Sequence, residues 1–330
     1  MAQVVSFILQ KGGCGKTTTV VNTGGYLAMQ GFQVLCVDMD PQGNLTQHFG
    51  YDAESLKITI LDLFHRSAAF EDVVLKRNDA LHILPNNLRT ATAEPTLQKS
   101  FNPNDLLRDT LFPVLKNYDY ILIDCPPTLG LFSLNALATS TEFVIVVTPE
   151  FLPMKAIKPL YDTFRVVKSN INRSLQFNGI IMTMCDFRTR HSQEIFKILR
   201  KNFPQKLYKA YIRNNVYLKE ASSYGQTIFE HKPYSIGAFD YQNFAEEFVR
   251  DHHKTIKKRN YYQQKYDSLN HREKNQIIMY ANKNLSTFVK EFMEYNPDKI
   301  AFQQALLVER NKILEKLFPY RTNVLIEHDE

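Results

Sequence analysis

Eight consecutive residues near the start of the chain have the types and order of a nucleotide phosphate-binding loop. Residues 11–18 read Lys-Gly-Gly-Cys-Gly-Lys-Thr-Thr and follow directly on the apolar run Val4–Leu9. Glycines allow backbone N–H groups to turn inward around a phosphate without a Cβ clash. Lys16 would place its ammonium on the β- and γ-phosphates, and the Thr17 hydroxyl would coordinate Mg²⁺. The helix expected to start near Lys16 adds its positive dipole end to the same anion.

The loop departs from the ordinary pattern G-x-x-x-x-G-K-[ST] at one position. Gln10 stands where that pattern has glycine, and a second lysine, Lys11, precedes the glycine pair. In this form the loop resembles the deviant Walker A motif of the ParA/MinD superfamily of ATPases. The resemblance implies that Lys11 reaches across a nucleotide-sandwich dimer to the phosphates of the other subunit, whereas Lys16 contacts those of its own. It also implies ATP and Mg²⁺ as cofactors, held by Lys11, Gly12, Gly13, Cys14, Gly15, Lys16, Thr17 and Thr18.

Three aspartates are expected at the same edge of the protein as this loop. Asp38, Asp40 and Asp124 each come at or just after the end of an apolar, strand-like run. Ligands of open α/β sheets sit outside the carboxyl ends of the strands. Residues 38–44 read Asp-Met-Asp-Pro-Gln-Gly-Asn and resemble the DxDPQGN segment of the same superfamily. The resemblance implies that Asp40 positions or activates the attacking water, which makes Lys11, Lys16 and Asp40 the predicted catalytic residues.

Asp124 follows four apolar residues and precedes Cys125-Pro126-Pro127. This segment resembles the Walker B aspartate and D-x-P-P switch of the superfamily, in which the carboxylate holds Mg²⁺ directly or through water. The predicted metal site therefore consists of Thr17 and Asp124, with Asp38 supporting the metal without touching it.

The residues that hold the base are less well defined by the sequence. GTPases usually read guanine with an Asn/Thr-Lys-x-Asp motif after a late strand, and this chain has Thr183-Met184-Cys185-Asp186 there. The lysine that packs against guanine is missing, so ATP is the preferred nucleotide, as the resemblance also implies. Met184 and Asp186 are the residues predicted beside the base.

Short β-type apolar runs alternate with helical stretches over the first 250 residues, which is typical of a parallel sheet flanked by helices. A first helix is expected over 17–30 and should end at Gly31. Further strands are predicted at 33–37, 81–84, 120–123, 142–147 and 178–183, and helices at 103–116, 153–170, 190–202 and from Leu131. The expected fold is α/β, a mostly parallel twisted sheet with helices on both faces.

The composition changes near residue 251. From there to residue 330 the β-type runs disappear, and two apolar stripes with helical spacing follow, at 277–292 and 306–318. We therefore predict an ATPase domain over 1–250 and an α-helical C-terminal extension over 251–330.

Overall composition is that of an ordinary globular protein, with 44% hydrophobic and 22% charged residues. No apolar run approaches the roughly 20 residues that span a bilayer, and no export signal is visible. The four cysteines lack paired or CxxC spacing and are expected to be reduced thiols of a cytoplasmic protein.

Basic residues cluster between Asp186 and Arg213, against only two acidic ones. A clustered basic face neutralises backbone phosphates without reading bases, so it predicts nonspecific, salt-dependent binding of DNA. A solvated helix side is the alternative that composition leaves open. Residues 179–194 and 212–226 resemble chromosome- and plasmid-partition ParA proteins, and this resemblance favours DNA. The predicted DNA-binding residues are Arg188, Arg190, Lys197, Arg200, Lys201 and Arg213.

The resemblance thus implies a partition ATPase that dimerises with ATP, binds nucleoid DNA and is stimulated by a ParB-like or cargo-adaptor protein. The expected location is cytoplasmic and nucleoid-associated. One alternative is a MinD-like membrane switch, although the last amphipathic segment carries mixed charges and is followed by an acidic end. Another is an ATP-dependent ligase of the same fold, which gives no reason for Lys11 or the basic face. The cargo is open: a plasmid, a chromosome origin or a protein assembly.

Overall fold

The computed structural model of this protein describes residues 2–149 and 153–251. Eight strands run through the described residues. They are β1 (Gln3–Ile8), β2 (Val34–Asp38), β3 (Leu75–Lys76), β4 (Leu81–Leu84), β5 (Tyr120–Asp124), β6 (Glu142–Val147), β7 (Gln176–Cys185) and β8 (Leu207–Arg213).

Helices fill most of the connections between these strands. They are α1 (Lys16–Met29), α2 (Asn44–His48), α3 (Ile60–Phe64), α4 (Phe70–Val73), α5 (Arg89–Leu97), α6 (Leu106–Leu111), α7 (Leu131–Thr139), α8 (Pro153–Asn170), α9 (Arg190–Asn202), α10 (Val216–Ser223), α11 (Ile228–His231) and α12 (Ile236–Asp251). Two 3-10 helices cover Ala53–Ser55 and Phe112–Asn117.

The strands form one sheet in the order β3-β4-β2-β5-β1-β6-β7-β8. Every neighbouring pair is parallel except β3 with β4, which is antiparallel. The central strands are covered on both faces, so β2 and β5 are buried at every position and read as unbroken apolar runs. The predicted α/β fold is confirmed.

Several predicted bounds agree with the structure. Strands at 81–84 and 142–147 and helices at 153–170 and 190–202 are observed with those bounds. One prediction was only partly right: the helix expected over 103–116 is α6 followed by the 3-10 helix Phe112–Asn117, which has Pro113 in its first turn. The strand β8 was not predicted. The predicted helical extension, 251–330, lies outside the described residues apart from Asp251.

The glycine that follows α1 explains why the C-terminal end of this helix could be predicted. Gly31 has φ +84°, and its N–H donates to the Ala28 carbonyl while that of Phe32 donates to the Leu27 carbonyl. This left-handed glycine closes α1 and turns the chain towards β2.

The functional loops follow the carboxyl ends of the central strands. β5 lies between β2 and β1, and Asp38 at the end of β2 is paired in register with Asp124 at the end of β5. The phosphate-loop residues follow the same end of β1. These elements belong to a compact unit made of residues 2–232 and 237–251. Among the helices described, none is long and apolar enough to cross a membrane.

Candidate active site

The phosphate loop connects the end of β1 to the start of α1 at the centre of the sheet. Gly13 and Gly15 have φ +70° and +85°, a left-handed backbone that other residues rarely adopt. A Cβ placed on Gly12 or Gly13 would meet nothing within 4 Å, so the loop borders open space. That space is a cleft of about 710 Å³, which Gly12, Gly13, Cys14, Gly15, Lys16, Thr17, Thr18, Asp40 and Met184 help to line.

The two lysines of the loop have different surroundings. Lys16 is 6% exposed, and its Nζ donates to the Lys11 carbonyl at 3.0 Å. The Lys11 side chain is half-buried and donates to the Thr148 hydroxyl, which follows β6, at 3.5 Å. The Lys16 ammonium is therefore held inside the loop, whereas the Lys11 side chain extends towards the end of β6.

Thr17 and Asp124, predicted to hold the metal, are in direct contact. The Thr17 hydroxyl donates to Asp124 Oδ2 at 2.6 Å. Asp124 Oδ1 is buried and has no hydrogen-bond partner within the described part of the chain. Burial raises the pKa of this carboxyl to about 7, against the opposing effects of Thr17 and Lys16. A buried oxygen without a donor fits a Mg²⁺ ligand, because a cation would satisfy the oxygen and favour the ionised carboxylate.

Asp38 serves the loop that follows it. Its Oδ2 accepts from the Thr46 backbone N–H at 2.9 Å and hydroxyl at 2.8 Å, and its Oδ1 accepts from the Asp40 N–H at 3.2 Å. Burial, followed by the nearby Asp124, raises its pKa well above the usual value. Both oxygens of the Asp38 side chain thus accept hydrogen bonds from the protein, and its role in supporting the metal without touching it stays a prediction.

Asp40 lines the cleft and is 9% exposed. Its Oδ1 accepts from the Gln42 N–H at 3.0 Å, which fixes the carboxylate at the start of the turn that leads into α2. A carboxylate held this way beside a phosphate loop can orient a water or accept its proton. The predicted catalytic residues Lys16 and Asp40 therefore share one cleft.

A second cleft of about 230 Å³ adjoins the first, and both are lined by Gly15, Thr18, Met184 and Ser222. Its wall includes the apolar residues Ile212, Leu218 and Tyr241 together with polar residues of the β8–α10 connection. Apolar walls with a few polar groups suit a nucleobase. Met184, predicted beside the base, is the left-handed residue (φ 53°) that joins the two clefts.

Asp186 is not among the residues that line these two clefts. Its carboxylate accepts from Arg188 Nε at 2.9 Å and from Nη2 at 2.7 Å. These hydrogen bonds lower its pKa to about 2. Of these two residues only Met184 lines the clefts, and a role for Asp186 at the base stays a prediction.

The predicted DNA-binding residues form two groups. Arg188, Arg190, Lys197, Arg200 and Lys201 are exposed, and all but Arg188 belong to α9. Helix α9 buries Ser192, Ile195 and Leu199 instead. Arg213 differs, because its guanidinium pairs with the buried Asp240 at 2.5 Å and it lines the second cleft.

Sequence reasoning missed three threonines whose hydroxyl groups hydrogen-bond to residues of the site. Thr183 Oγ1 lies 2.7 Å from the Cys14 carbonyl, Thr46 holds Asp38, and Thr148 contacts Lys11. Hydroxyl residues at strand ends are common, and their partners are more than a hundred residues away for Thr183 and Thr148. No local pattern could have singled them out.

Comparison with known proteins identifies relatives of this chain. A family model described as an AAA domain matches residues 2–177. The sporulation initiation inhibitor protein Soj of Bacillus subtilis is 38% identical over 75% of this chain and 98% of its own length. The chromosome-partitioning ATPase Soj of Treponema pallidum is 36% identical over 76% and 98%. A crystal structure of cobyrinic acid a,c-diamide synthase from Mycobacterium smegmatis, with bound ADP and magnesium, superposes with a TM-score of 0.67 and 28% identity over 76% of this chain and 95% of that one.

Proposed function

This chain belongs to the ParA/MinD-type partition ATPases, and we propose that it forms an ATP-dependent dimer that binds DNA without sequence preference. In this proposal the dimer moves or positions a cargo, which is a plasmid, a chromosome region or a protein assembly. A partner protein bound to the cargo stimulates hydrolysis and releases the dimer from DNA.

The protein is an ATPase that uses Mg²⁺. In the proposed arrangement the phosphates lie against the N–H groups of residues 12–18 and the Lys16 ammonium, and Asp40 orients the attacking water. Thr17 and Asp124 would hold Mg²⁺, which neutralises charge on the β- and γ-phosphate oxygens when bound. The protein contributes by positioning and by charge stabilisation, since phosphoryl transfer needs little covalent chemistry from the enzyme.

Dimerisation rests on Lys11. This lysine lies on the loop but is not buried with Lys16, and its contact with Thr148 is a long hydrogen bond. An ammonium can exchange a hydrogen bond to a neutral hydroxyl for one to a charged acceptor such as a phosphate, which is stronger. The family resemblance supplies that acceptor, the nucleotide of a second subunit.

The observation that carries the DNA proposal is the position of α9. The helix follows β7, whose residues Thr183 and Met184 border the nucleotide clefts. Its exposed side presents Arg190, Lys197, Arg200 and Lys201. The basic helix α9 is therefore connected directly to the strand that borders the proposed nucleotide site. A DNA contact that the nucleotide controls requires such a connection. We leave Arg213 out of this surface because it is paired with the buried Asp240, and Arg188 because it is paired with Asp186.

Charge removal on α9 tests the proposal. The variant Arg190→Gln, Lys197→Gln, Arg200→Gln, Lys201→Gln should lose DNA affinity in the presence of ATP and still form the dimer. The slope of log affinity against log salt should fall by about 0.9 for each duplex phosphate that is no longer neutralised. Equal charge is removed in a matched control, Lys57→Gln, Lys76→Gln, Lys99→Gln, Lys116→Gln, whose side chains are exposed outside α9.

The proposal fails if the α9 variant and the control bind DNA alike. Co-sedimentation of the wild-type protein with anionic liposomes and ATP addresses the membrane alternative. Lipid binding without DNA binding would replace the proposed function by a MinD-like one.

A further inference from the structure

One hydrogen bond joins the end of β7 to the phosphate loop across the sheet. Thr183 is 2% exposed, and its Oγ1 lies 2.7 Å from the Cys14 carbonyl oxygen and 3.2 Å from the Val147 carbonyl oxygen. A hydroxyl has a single hydrogen to donate, so the shorter contact, to Cys14, is the bond. The Thr183 side chain also packs against Gly15, since a Cβ built there would lie 3.6 Å from the Thr183 Cβ.

The bonded carbonyl belongs to the Cys14–Gly15 peptide of the phosphate loop, and both residues line the first cleft. The Cys14 C=O and the Gly15 N–H are the two ends of one planar peptide group and point in opposite directions. Holding the carbonyl against Thr183 therefore fixes the direction of the Gly15 N–H. That N–H belongs to the row of donors in the Walker-type loop that cradles phosphates.

This peptide needs an external restraint. Gly13 and Gly15 flank Cys14, and both have positive φ. Glycine populates positive and negative φ about equally, so the peptide between Cys14 and Gly15 can rotate at low cost when nothing holds it. A buried hydroxyl on a rigid strand is such a restraint.

We propose that Thr183 is a positioning residue of the ATPase site, which orients the Cys14–Gly15 peptide so that its N–H points at the nucleotide phosphates. The neighbouring Met184 lines both clefts, so one two-residue segment at the end of β7 braces the phosphate loop and borders the second cleft. The inference rests on the ATPase activity alone and is independent of DNA, dimer and cargo.

The role predicts a loss of affinity that ATP and ADP share. The hydrogen bond acts on the loop before and during the reaction, so its removal weakens ground-state and transition-state binding equally. Thr183→Val keeps the shape of the side chain and removes the hydroxyl. We expect the Kd for fluorescent ATP and ADP analogues with Mg²⁺ to rise about tenfold, which corresponds to about 1.4 kcal/mol, and kcat at saturating ATP to change less than KM.

Two further variants separate positioning from general destabilisation. Thr183→Ser retains the hydroxyl and should restore both Kd values to within about twofold of wild type, by the same relation between affinity and free energy. Thr23→Val is the matched control, because Thr23 is a fully buried threonine of α1 whose hydroxyl has no partner within the described residues. It should leave both Kd values unchanged.

Three results would overturn the inference. They are wild-type Kd values in Thr183→Val, an equal rise in Thr23→Val, and a failure of Thr183→Ser to restore binding. The first of these results, accompanied by a lower melting temperature of Thr183→Val, would mean that the hydroxyl is purely structural.

Discussion

Two lysines five positions apart belong to one loop, and we predict separate tasks for them. Lys16 is buried and hydrogen-bonded within its own loop, so we expect its charge to act on a ligand bound in the cleft of the same subunit. Lys11 is half-buried and contacts Thr148. Their environments therefore support a division between binding nucleotide and sensing a second subunit.

Lys16→Ala and Lys11→Ala test this division. Lys16→Ala should abolish nucleotide binding, because the β- and γ-phosphates lose the lysine of their own subunit. Lys11→Ala should bind ATP close to wild type and remain a monomer. Titration with a fluorescent ATP analogue measures the first property, and light scattering with ATP measures the second. Normal dimerisation of Lys11→Ala would show that the cross-subunit role is wrong.

Asp40 and Asp38 are two residues apart, and their substitutions should have different effects. Asp40→Ala should bind ATP and dimerise but hydrolyse ATP at least about 10²-fold more slowly, a usual contribution of a positioned proton acceptor. Asp38→Ala should instead lower the melting temperature, because Asp38 accepts three hydrogen bonds, one from Asp40 and two from Thr46 of α2. Steady-state turnover and thermal denaturation of both variants distinguish the roles. Near wild-type turnover in Asp40→Ala would contradict the assigned role.

At the scale of elements, the sequence predicts what local patterns encode. The apolar runs of the inner strands and the amphipathic α9 are visible because each is decided by burial of its own residues. β8 was missed because it is an edge strand of mixed burial, so its lysine and arginine residues were taken only as part of the basic cluster. The contacts of Thr183 and Thr46 depend on how strands are ordered in space, which no local pattern of residues contains.

Helix α2 contains a buried histidine that makes the stability of the protein depend on pH. Burial lowers the pKa of His48 to about 4, from its ordinary value near 6.5. The unfolded chain therefore binds this proton first as the pH falls, and stability is lost from about pH 7 downwards. Between pH 7 and pH 5 the loss from this residue should be about 2 kcal/mol.

Denaturant unfolding at pH 7, 6 and 5 measures this loss. Between pH 7 and pH 5, the free energy of unfolding of His48→Leu should decrease by about 2 kcal/mol less than that of the wild type, whatever the effect of the substitution at pH 7. His65→Leu, at an exposed histidine, is the control and should keep the wild-type decrease. If His48→Leu also keeps the wild-type decrease, burial does not lower the pKa of His48 in solution.

At the scale of the whole molecule, α12 completes the ATPase unit. Its Tyr241 hydroxyl is 3.2 Å from the Thr19 hydroxyl of α1, and Glu246 accepts from the Tyr26 hydroxyl of α1 at 2.8 Å. On the other side, Glu247 accepts from the backbone N–H groups of Lys209 and Ala210 in β8, each at 2.9 Å. One helix thus joins α1 to the edge strand, and a shortened protein has to retain α12 in full.

Truncation after Asp251 separates the ATPase unit from the predicted extension. ATP affinity should stay within about twofold of the full chain, which is a change of less than about 0.5 kcal/mol, because the predicted phosphate and metal ligands all precede the cut. DNA affinity should fall, because the segment removed begins with the basic residues Lys254, Lys257, Lys258 and Arg259. The salt slope should decrease by about 0.9 for each duplex phosphate that the shortened protein leaves unneutralised.

The full chain with those four residues changed to Gln is the matched variant. An equal loss of DNA affinity in both proteins would assign the effect to the basic cluster. A larger loss on truncation would assign the remainder to the rest of the extension, where we predict that the apolar stripes at 277–292 and 306–318 belong to a helical hairpin that adds a surface for a partner or cargo. Stimulation of hydrolysis by the partner should then be lost only on truncation, because the four substitutions leave both stripes intact. A truncated protein that keeps full DNA binding, partner stimulation and solubility would make the extension dispensable.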